Sequence, residues 1–289
     1  MRNKLLSILG VIVLTVVVSL ITVKTLSPSK NINNDSSVYE RVLKSGIIHA
    51  CYVVYPPASI KDPNTGKMTG VFVETLNKAA ENMDLKVDWN AEVGWGELIE
   101  ALNSNRCDII GSPAWGTSAR ARGAEFSQPL YYSAINAYVR LNDNRFNTNV
   151  NIANNKLYKI ATVDGEASEV VASRQFPNAQ TLQLPQSTDV SQMLLDVADG
   201  KADMAFLEPT IANQYMKNNP GRIKLVGKPL VTYGNHMLIK KGEFEFKSMI
   251  DNSISELINN GYVESLISSY EKDYPGIFYR LAVPYMMPQ

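Results

Sequence analysis

The chain is poor in the residues that most often carry covalent or metal chemistry. Its 289 residues include two cysteines, Cys51 and Cys107, and two histidines, His49 and His236. No paired C-x-x-C, H-E-x-x-H, glycine-lysine phosphate loop or post-strand G-x-G-x-x-G is present, so the zinc, nucleotide and dinucleotide signatures are missing. No G-x-S-x-G elbow marks a nucleophile. Both histidines fall in apolar strand-like runs, where a packed, hydrogen-bonded imidazole is the expectation rather than a base or ligand. No catalytic residue, metal ligand or cofactor is therefore assigned.

Charge of one sign is not in excess either. Twenty-eight basic residues face 28 acidic ones, and no basic cluster with interleaved aromatics occurs, which excludes the electrostatic footprint of a nucleic-acid binder. There is no low-complexity tract and no repeat of solenoid period. With 45% hydrophobic and 19% charged residues the composition is that of a globular protein long enough for one large or two smaller domains.

The amino terminus holds the one long hydrophobic run. Arg2 and Lys4 precede an uncharged stretch at residues 5–23, whose 19 positions would reach roughly 28 Å as a helix, close to the thickness of a bilayer core. The exit, TVKTLSPSK, carries no A-x-A cleavage pattern, and no cysteine follows to accept a lipid. The expectation is an uncleaved membrane anchor within residues 1–26, its basic tail cytoplasmic, rather than a cleaved signal. Residues 27–37, SPSKNINNDSS, read as a flexible linker, so the remainder is expected outside the cytoplasmic membrane. Cys51 and Cys107 sit in strand-like runs, HACYVVY and CDIIGS, where free cysteine packs as a small apolar residue. Free thiols are the expectation and a disulfide the alternative: an exported chain could oxidise the pair, but a bridge also needs the strands to bring both side chains face to face.

After the linker, apolar runs alternate with helical patterns, the sign of βαβ units and a mainly parallel sheet. Residues 47–54 and 86–89 read as strands, with Phe72, Leu76, Ala79 and Met83 at helical spacing between them. Trp95, Leu98, Ile99 and Leu102 make the next apolar helix face, and CDIIGS returns as a strand. A second series starts at KIATVDG, passes helix patterns around Val170 and Met193, and reaches ADMAFLE. Two long β-like stretches, YSAINAYVRL and TYGNHMLIKK, stand where a chain would leave one lobe and return to it. Two helices follow, either side of Gly261.

The string YPPASIKDPNTGKMTGVFVETLNKAAE at residues 55–81 resembles the opening of the polar amino-acid-binding group of bacterial extracellular solute-binding proteins. The similarity continues in WGELIEALNSNRCDII, GTSARARGAEFSQPLYYS and LLDVADGKADMAFLEP, and spans residues 39–270. The resemblance implies an α/β, two-lobed periplasmic-binding-protein fold of the second type, each lobe a mainly parallel sheet flanked by helices, with two hinge crossings. The expected boundaries are residues 38–134 with 235–289 for the first lobe and 135–234 for the second.

The same resemblance assigns a ligand site. Arg120 matches the arginine that holds a ligand carboxylate, a role suited to its two parallel N–H donors. A surface ion pair is the alternative, and Arg122 reads as solvated. Glu208 stands where the family has an aspartate for the ligand ammonium; as an acid before Pro209 it also fits a helix start. Tyr55 and Trp95 match aromatic positions that sandwich a side chain, although Trp95 also fits a packed helix face. Two departures stand out. Trp115 replaces a small hydroxyl residue five positions before Arg120, leaving Ser112 and Thr117 as the hydroxyl candidates, and GEASE puts Glu166 and Ala167 where small hydroxyls open a helix, leaving Ser168 as a donor. An acid at Glu166 would repel a ligand carboxylate and suit an amine-rich ligand.

What the resemblance implies is a monomer, tethered outside the cytoplasmic membrane, that captures an amino-acid-like ligand for an ABC-type permease. A ligand-sensing partner of a membrane protein is one alternative. The other is a lyase similar to cyclohexadienyl dehydratase, with Glu208 or Glu166 as its acid.

Overall fold

The computed structural model describes residues 36–280, apart from Gly165 and Gln186. The apolar run at 5–23 and the linker as far as residue 35 lie outside the described residues. No described helix is long and apolar enough to cross a membrane.

The architecture is a nine-stranded mixed sheet with helices on both faces. One half starts with helix α1 (Val38–Ser45) and strand β1 (Ile47–Tyr52), followed by the short hairpin β2 (Ile60–Lys61) and β3 (Met68–Thr69). Helix α2 (Val71–Asn82), β4 (Lys86–Glu92), α3 (Leu98–Asn103), β5 (Ile109–Trp115) and β6 (Ala124–Phe126) complete the run. The other half holds β8 (Lys159–Val163), α4 (Ala167–Gln175), β9 (Gln180–Leu184), α5 (Gln192–Ala198), β10 (Met204–Leu207) and α6 (Pro209–Asn218). Strands β7 (Tyr131–Arg140) and β11 (Ile223–Lys240) join the halves, and α7 (Phe244–Asn259) and α8 (Tyr262–Glu271) close the chain against the first.

Strand order is β4-β1-β5-β11-β7-β10-β8-β9, with β6 also on β11. β4, β1 and β5 are mutually parallel, as are β10, β8 and β9. Between these triplets β11 and β7 pair antiparallel from Ile223 opposite Arg140 to Asn235 opposite Tyr131. The parallel triplets need helical crossovers, which is why helices cover both faces.

Side-chain alternation divides the core. In β10, Met204 and Phe206 pack with Phe176 on one face, while Ala205 and Leu207 pack with Leu194 and Val197 on the other. In the first half, Ile109 joins Phe72, Leu76 and Ile254, and Ile110 joins Cys51 and Leu102. Helix α2 buries Phe72, Leu76 and Ala79 completely, following the apolar spacing in the sequence. Its start is set by Gly70, at φ 113°, where an added Cβ would stand 2.6 Å from the Ala58 carbonyl oxygen. The helix thereby packs onto the 55–59 turn, Val71 and Phe72 donating to the carbonyls of Pro57 and Ala58 at 3.1 and 2.9 Å.

Two sequence expectations are corrected. Cys51 and Cys107 are paired in a disulfide, not free, with Cα atoms 5.6 Å apart. The cause is strand adjacency: β1 and β5 are parallel neighbours, Ala50 and Cys51 lying opposite Ile109 and Ile110, and Cys107 stands two residues before β5. Trp95 does not lie on a helix face. It sits in the turn before α3 and is 37% exposed.

Candidate functional site

The side chains singled out in the sequence gather where the parallel strands end. Tyr55 follows β1, Trp95 follows β4, and Thr117 and Arg120 follow β5; on the facing half, Glu166 and Ser168 follow β8 and Glu208 follows β10. Open α/β sheets present ligands at these carboxyl ends, because the loops there are free to vary without disturbing the pairing.

Glu208 forms the centre. Only 9% exposed, it occupies the N-cap of α6 but accepts no hydrogen bond from the helix's first turn, so its carboxylate is not spent on capping. The Tyr55 hydroxyl, reaching across from the first half, donates to one Glu208 oxygen, and Ser133 Oγ on β7 donates to the other at 3.3 Å. Ser133 is oriented in turn, accepting from Trp115 Nε1 at 2.9 Å and Asn235 Nδ2 at 3.0 Å. Burial pushes the Glu208 carboxyl from 4.5 up to about 7, the Tyr55 and Ser133 bonds pulling it down and the Glu166 charge adding to the rise. Burial and the same carboxylate push the Tyr55 hydroxyl well above its ordinary value.

Tyr55 is held by its own turn. Its N–H donates to the Ser59 carbonyl at 2.7 Å, and Ser59 Oγ donates to the Val53 carbonyl at 2.5 Å. The Tyr55 and Trp95 rings meet edge to face, centroids 5.6 Å apart, and form one aromatic wall.

Arg120 opens a short 3-10 turn, Arg120–Arg122, and is half-buried. Its amide donates to Thr117 Oγ1 at 3.3 Å, and its Nη1 reaches the Trp115 carbonyl at 3.4 Å. That leaves the guanidinium underused, with five donors and a single long internal bond to a neutral acceptor. Burial lowers its proton affinity and the Glu166 charge raises it.

Two of the hydroxyl candidates face inward instead. Ser112 is fully buried, accepting from the Val53 N–H at 2.9 Å and lying 3.1 Å from both the Val53 carbonyl and Ser59 Oγ. Ser168 is buried and accepts from the Val163 N–H at 3.2 Å. Both secure the loops that carry Tyr55 and Glu166. Sequence reasoning missed Ser133 and Asn235, the inner supports of Glu208; their only signal is their place in β7 and β11, beside the crossing point. It also read Trp115 only as a departure, whereas the ring stacks on Tyr233 at 4.9 Å and holds Ser133. The histidines lie apart from Glu208: His236 Nδ1 donates to the Ser127 carbonyl at 2.6 Å, and His49, half-exposed, meets Asp88 at 3.1 Å. Among the described residues no cluster of three or more His, Cys, Asp or Glu is arranged for a metal ion.

Comparison with known proteins agrees with this architecture. The sequence profile of the bacterial extracellular solute-binding proteins, family 3, matches residues 47–273. The chain is 23% identical over 246 residues to the L-cystine-binding protein TcyA of Bacillus subtilis, covering 82% of this chain and 86% of that protein. It is 24% identical over 218 residues to a probable histidine-binding protein of Campylobacter jejuni, covering 75% and 81% respectively. Among solved structures, an ancestral amino-acid-binding protein, a precursor of cyclohexadienyl dehydratase, superposes with a TM-score of 0.65 at 22% identity, over 81% of this chain and 99% of that one. With the profile spanning most of its length, the chain belongs to the bacterial extracellular solute-binding proteins of family 3.

Proposed function

We propose that the chain captures an amino acid, or a similar small carboxylated and ammonium-bearing ligand, between two lobes formed by residues 38–134 with 235–289 and residues 135–234, and hands it to an ABC-type permease. The observation that carries this is Glu208, a buried carboxylate contacted across the cleft by Tyr55, with an underused Arg120 on the same side as Tyr55. A ligand ammonium replaces the Tyr55 hydroxyl at Glu208, a ligand carboxylate takes the free donors of Arg120, and the Tyr55–Trp95 wall covers the stem. Curated relatives bearing cystine- and histidine-binding names support an amino-acid class. The run at 5–23 is assigned as the tether that keeps a monomer outside the cytoplasmic membrane. Thermal denaturation across the natural amino acids, cystine, polyamines and small carboxylates tests the reading, since a ligand at 100 times its dissociation constant adds about 2.7 kcal/mol of stability. A panel in which no amino acid shifts the transition would refute it.

A second reading has one observation in its favour. A buried carboxyl brought to about 7 is poised for general acid chemistry, so Glu208 suits a dehydratase acting on a carboxylated ring. Loss of prephenate or arogenate followed by ultraviolet absorbance, absent in Glu208→Gln, would move the assignment from capture to catalysis.

A further inference from the structure

Glu208 has a second carboxylate for company at its edge of the sheet. β8 and β10 are parallel neighbours, Ile160 opposite Met204 and Ala161 opposite Ala205, so their carboxyl ends finish side by side. Glu208 follows β10 directly, and Glu166 follows β8 by three residues at the start of α4. Glu166 makes no capping bond to its helix and is exposed. Asp164, in the same loop, is engaged away from this edge by Gln183 of β9 at 3.4 Å. The Glu166 charge acts on both principal groups of the site, raising the proton affinity of Glu208 and of Arg120 alike.

The consequence is a charge imbalance. A zwitterionic ligand that gives its carboxylate to Arg120 and its ammonium to Glu208 neutralises both and leaves Glu166 beside a closing cleft without a counterion. Closure removes water, and an unmatched charge grows more costly as it does so. A ligand with a further cationic group cancels that charge, and the Tyr55–Trp95 wall adds ring faces that attract a cationic stem.

We propose that Glu166, standing beside Glu208 at the ends of two adjacent parallel strands and opposite the single Arg120, makes the cleft selective for ligands of net positive charge: one carboxylate with two cationic groups. This rests on the capture reading given above and specifies its ligand class.

The test is calorimetry on the full chain with L-arginine, L-lysine, L-glutamine, L-cystine, L-glutamate and putrescine, repeated on Glu166→Gln and Glu166→Ser. Glu166 is an exposed loop residue, and a thermal melt of each variant establishes that it is folded. L-Arginine or L-lysine should bind at least about tenfold more tightly than the neutral ligands, and both variants should narrow that gap by about five- to thirtyfold. Neutral amino acids binding as tightly as cationic ones, or a gap unmoved by both variants, would overturn the role of Glu166 while leaving amino-acid capture intact. Putrescine binding with no amino acid bound would refute amino-acid capture and, with it, the carboxylate-bearing ligand class proposed here. Failure of every cationic probe to bind refutes the proposal outright.

Discussion

Arg120 and Glu208 are chemically unlike in how they wait for a ligand, and the difference sets what their variants should do. The guanidinium keeps its charge at every accessible pH, so on the proposed reading replacing it would strand a ligand carboxylate in a desolvated cleft. Arg120→Ala should therefore cost about 2 to 5 kcal/mol, roughly thirty- to several thousand-fold in affinity, and Arg120→Lys should restore only part because an ammonium lacks the planar fork. Titration calorimetry on the identified ligand checks both. Glu208 must lose a proton first. Its neighbours are Tyr55, Ser133, the Glu166 carboxylate and the buried hydroxyls of Tyr131 and Tyr138, none of them a cation. The folded carboxyl, at about 7, holds its proton between pH 4.5 and 7 where the unfolded one has released it. Ligand-free stability should therefore fall as pH rises through that window and level above it. Binding of an ammonium runs the other way, strengthening up to about tenfold per pH unit until near pH 7 and then flattening. In Glu208→Gln that slope should vanish; its survival in calorimetry would place the titrating group elsewhere. Motif context marks Tyr55, Arg120 and Glu208 in the sequence, and all three follow the carboxyl ends of parallel strands in the structure. That Ser112 and Ser168 accept from the backbone of their own loops was not legible, because hydroxyl spacing alone does not tell which side of a loop a side chain takes.

At the level of elements, strongly patterned segments were the readable ones. Helix α2 and strand β10 follow the apolar spacing of Phe72, Leu76 and Ala79 and the run MAFL. β11 was half read: the stretch from Thr232 onward looks like a strand, whereas Gly227 and Pro229 punctuate what precedes it. The structure keeps that segment in the sheet by shifting register between Val226 and Val231, with Gly227 at φ 71°. The disulfide was illegible for a different reason, since no local pattern reports that β1 and β5 are neighbours. It closes a loop spanning 56 positions, for which the chain-entropy model gives about 4 kcal/mol. Cys51→Ala with Cys107→Ala should lower the unfolding free energy by about 2 to 4 kcal/mol, seen as a lower denaturant midpoint, and a reductant should shift the wild type by a similar amount. A reductant-insensitive midpoint would mean that the bridge contributes nothing to the folded balance. A covalent tie of this kind fits a chain that works in an oxidising compartment.

On the scale of the whole molecule, what matters is how few ties span the two halves. β7 and β11 are continuous through both, while the segment after α8 stays with the first half, Tyr279 exchanging backbone hydrogen bonds with Tyr132 of β7 at 2.7 and 2.8 Å and Phe278 packing on Tyr131. Asn213 of α6 reaches the Pro275 carbonyl at 3.3 Å. At the site itself Glu208 is tied to the first half by Tyr55 and, at 3.3 Å, by Ser133 Oγ. Once the Glu208 carboxyl has ionised, above about pH 7, a buried hydrogen bond to it is worth about 1.5 to 3 kcal/mol, comparable to the few kcal/mol that separate open and closed conformers of a hinged protein. On the proposed capture reading, this bond would hold the ligand-free cleft toward closure, because Tyr55 occupies an oxygen that a ligand ammonium would need. Removing only the hydroxyl in Tyr55→Phe keeps the ring against Trp95 but shifts the conformer ratio by about tenfold or more toward the open form. Small-angle scattering should then show a larger radius of gyration for ligand-free Tyr55→Phe than for ligand-free wild type, with ligand contracting the variant by the greater amount. Equal radii for the two ligand-free proteins, with both folded by circular dichroism, would mean that β7, β11 and the Asn213–Pro275 contact fix the interlobe angle by themselves and that the tyrosine only completes the site.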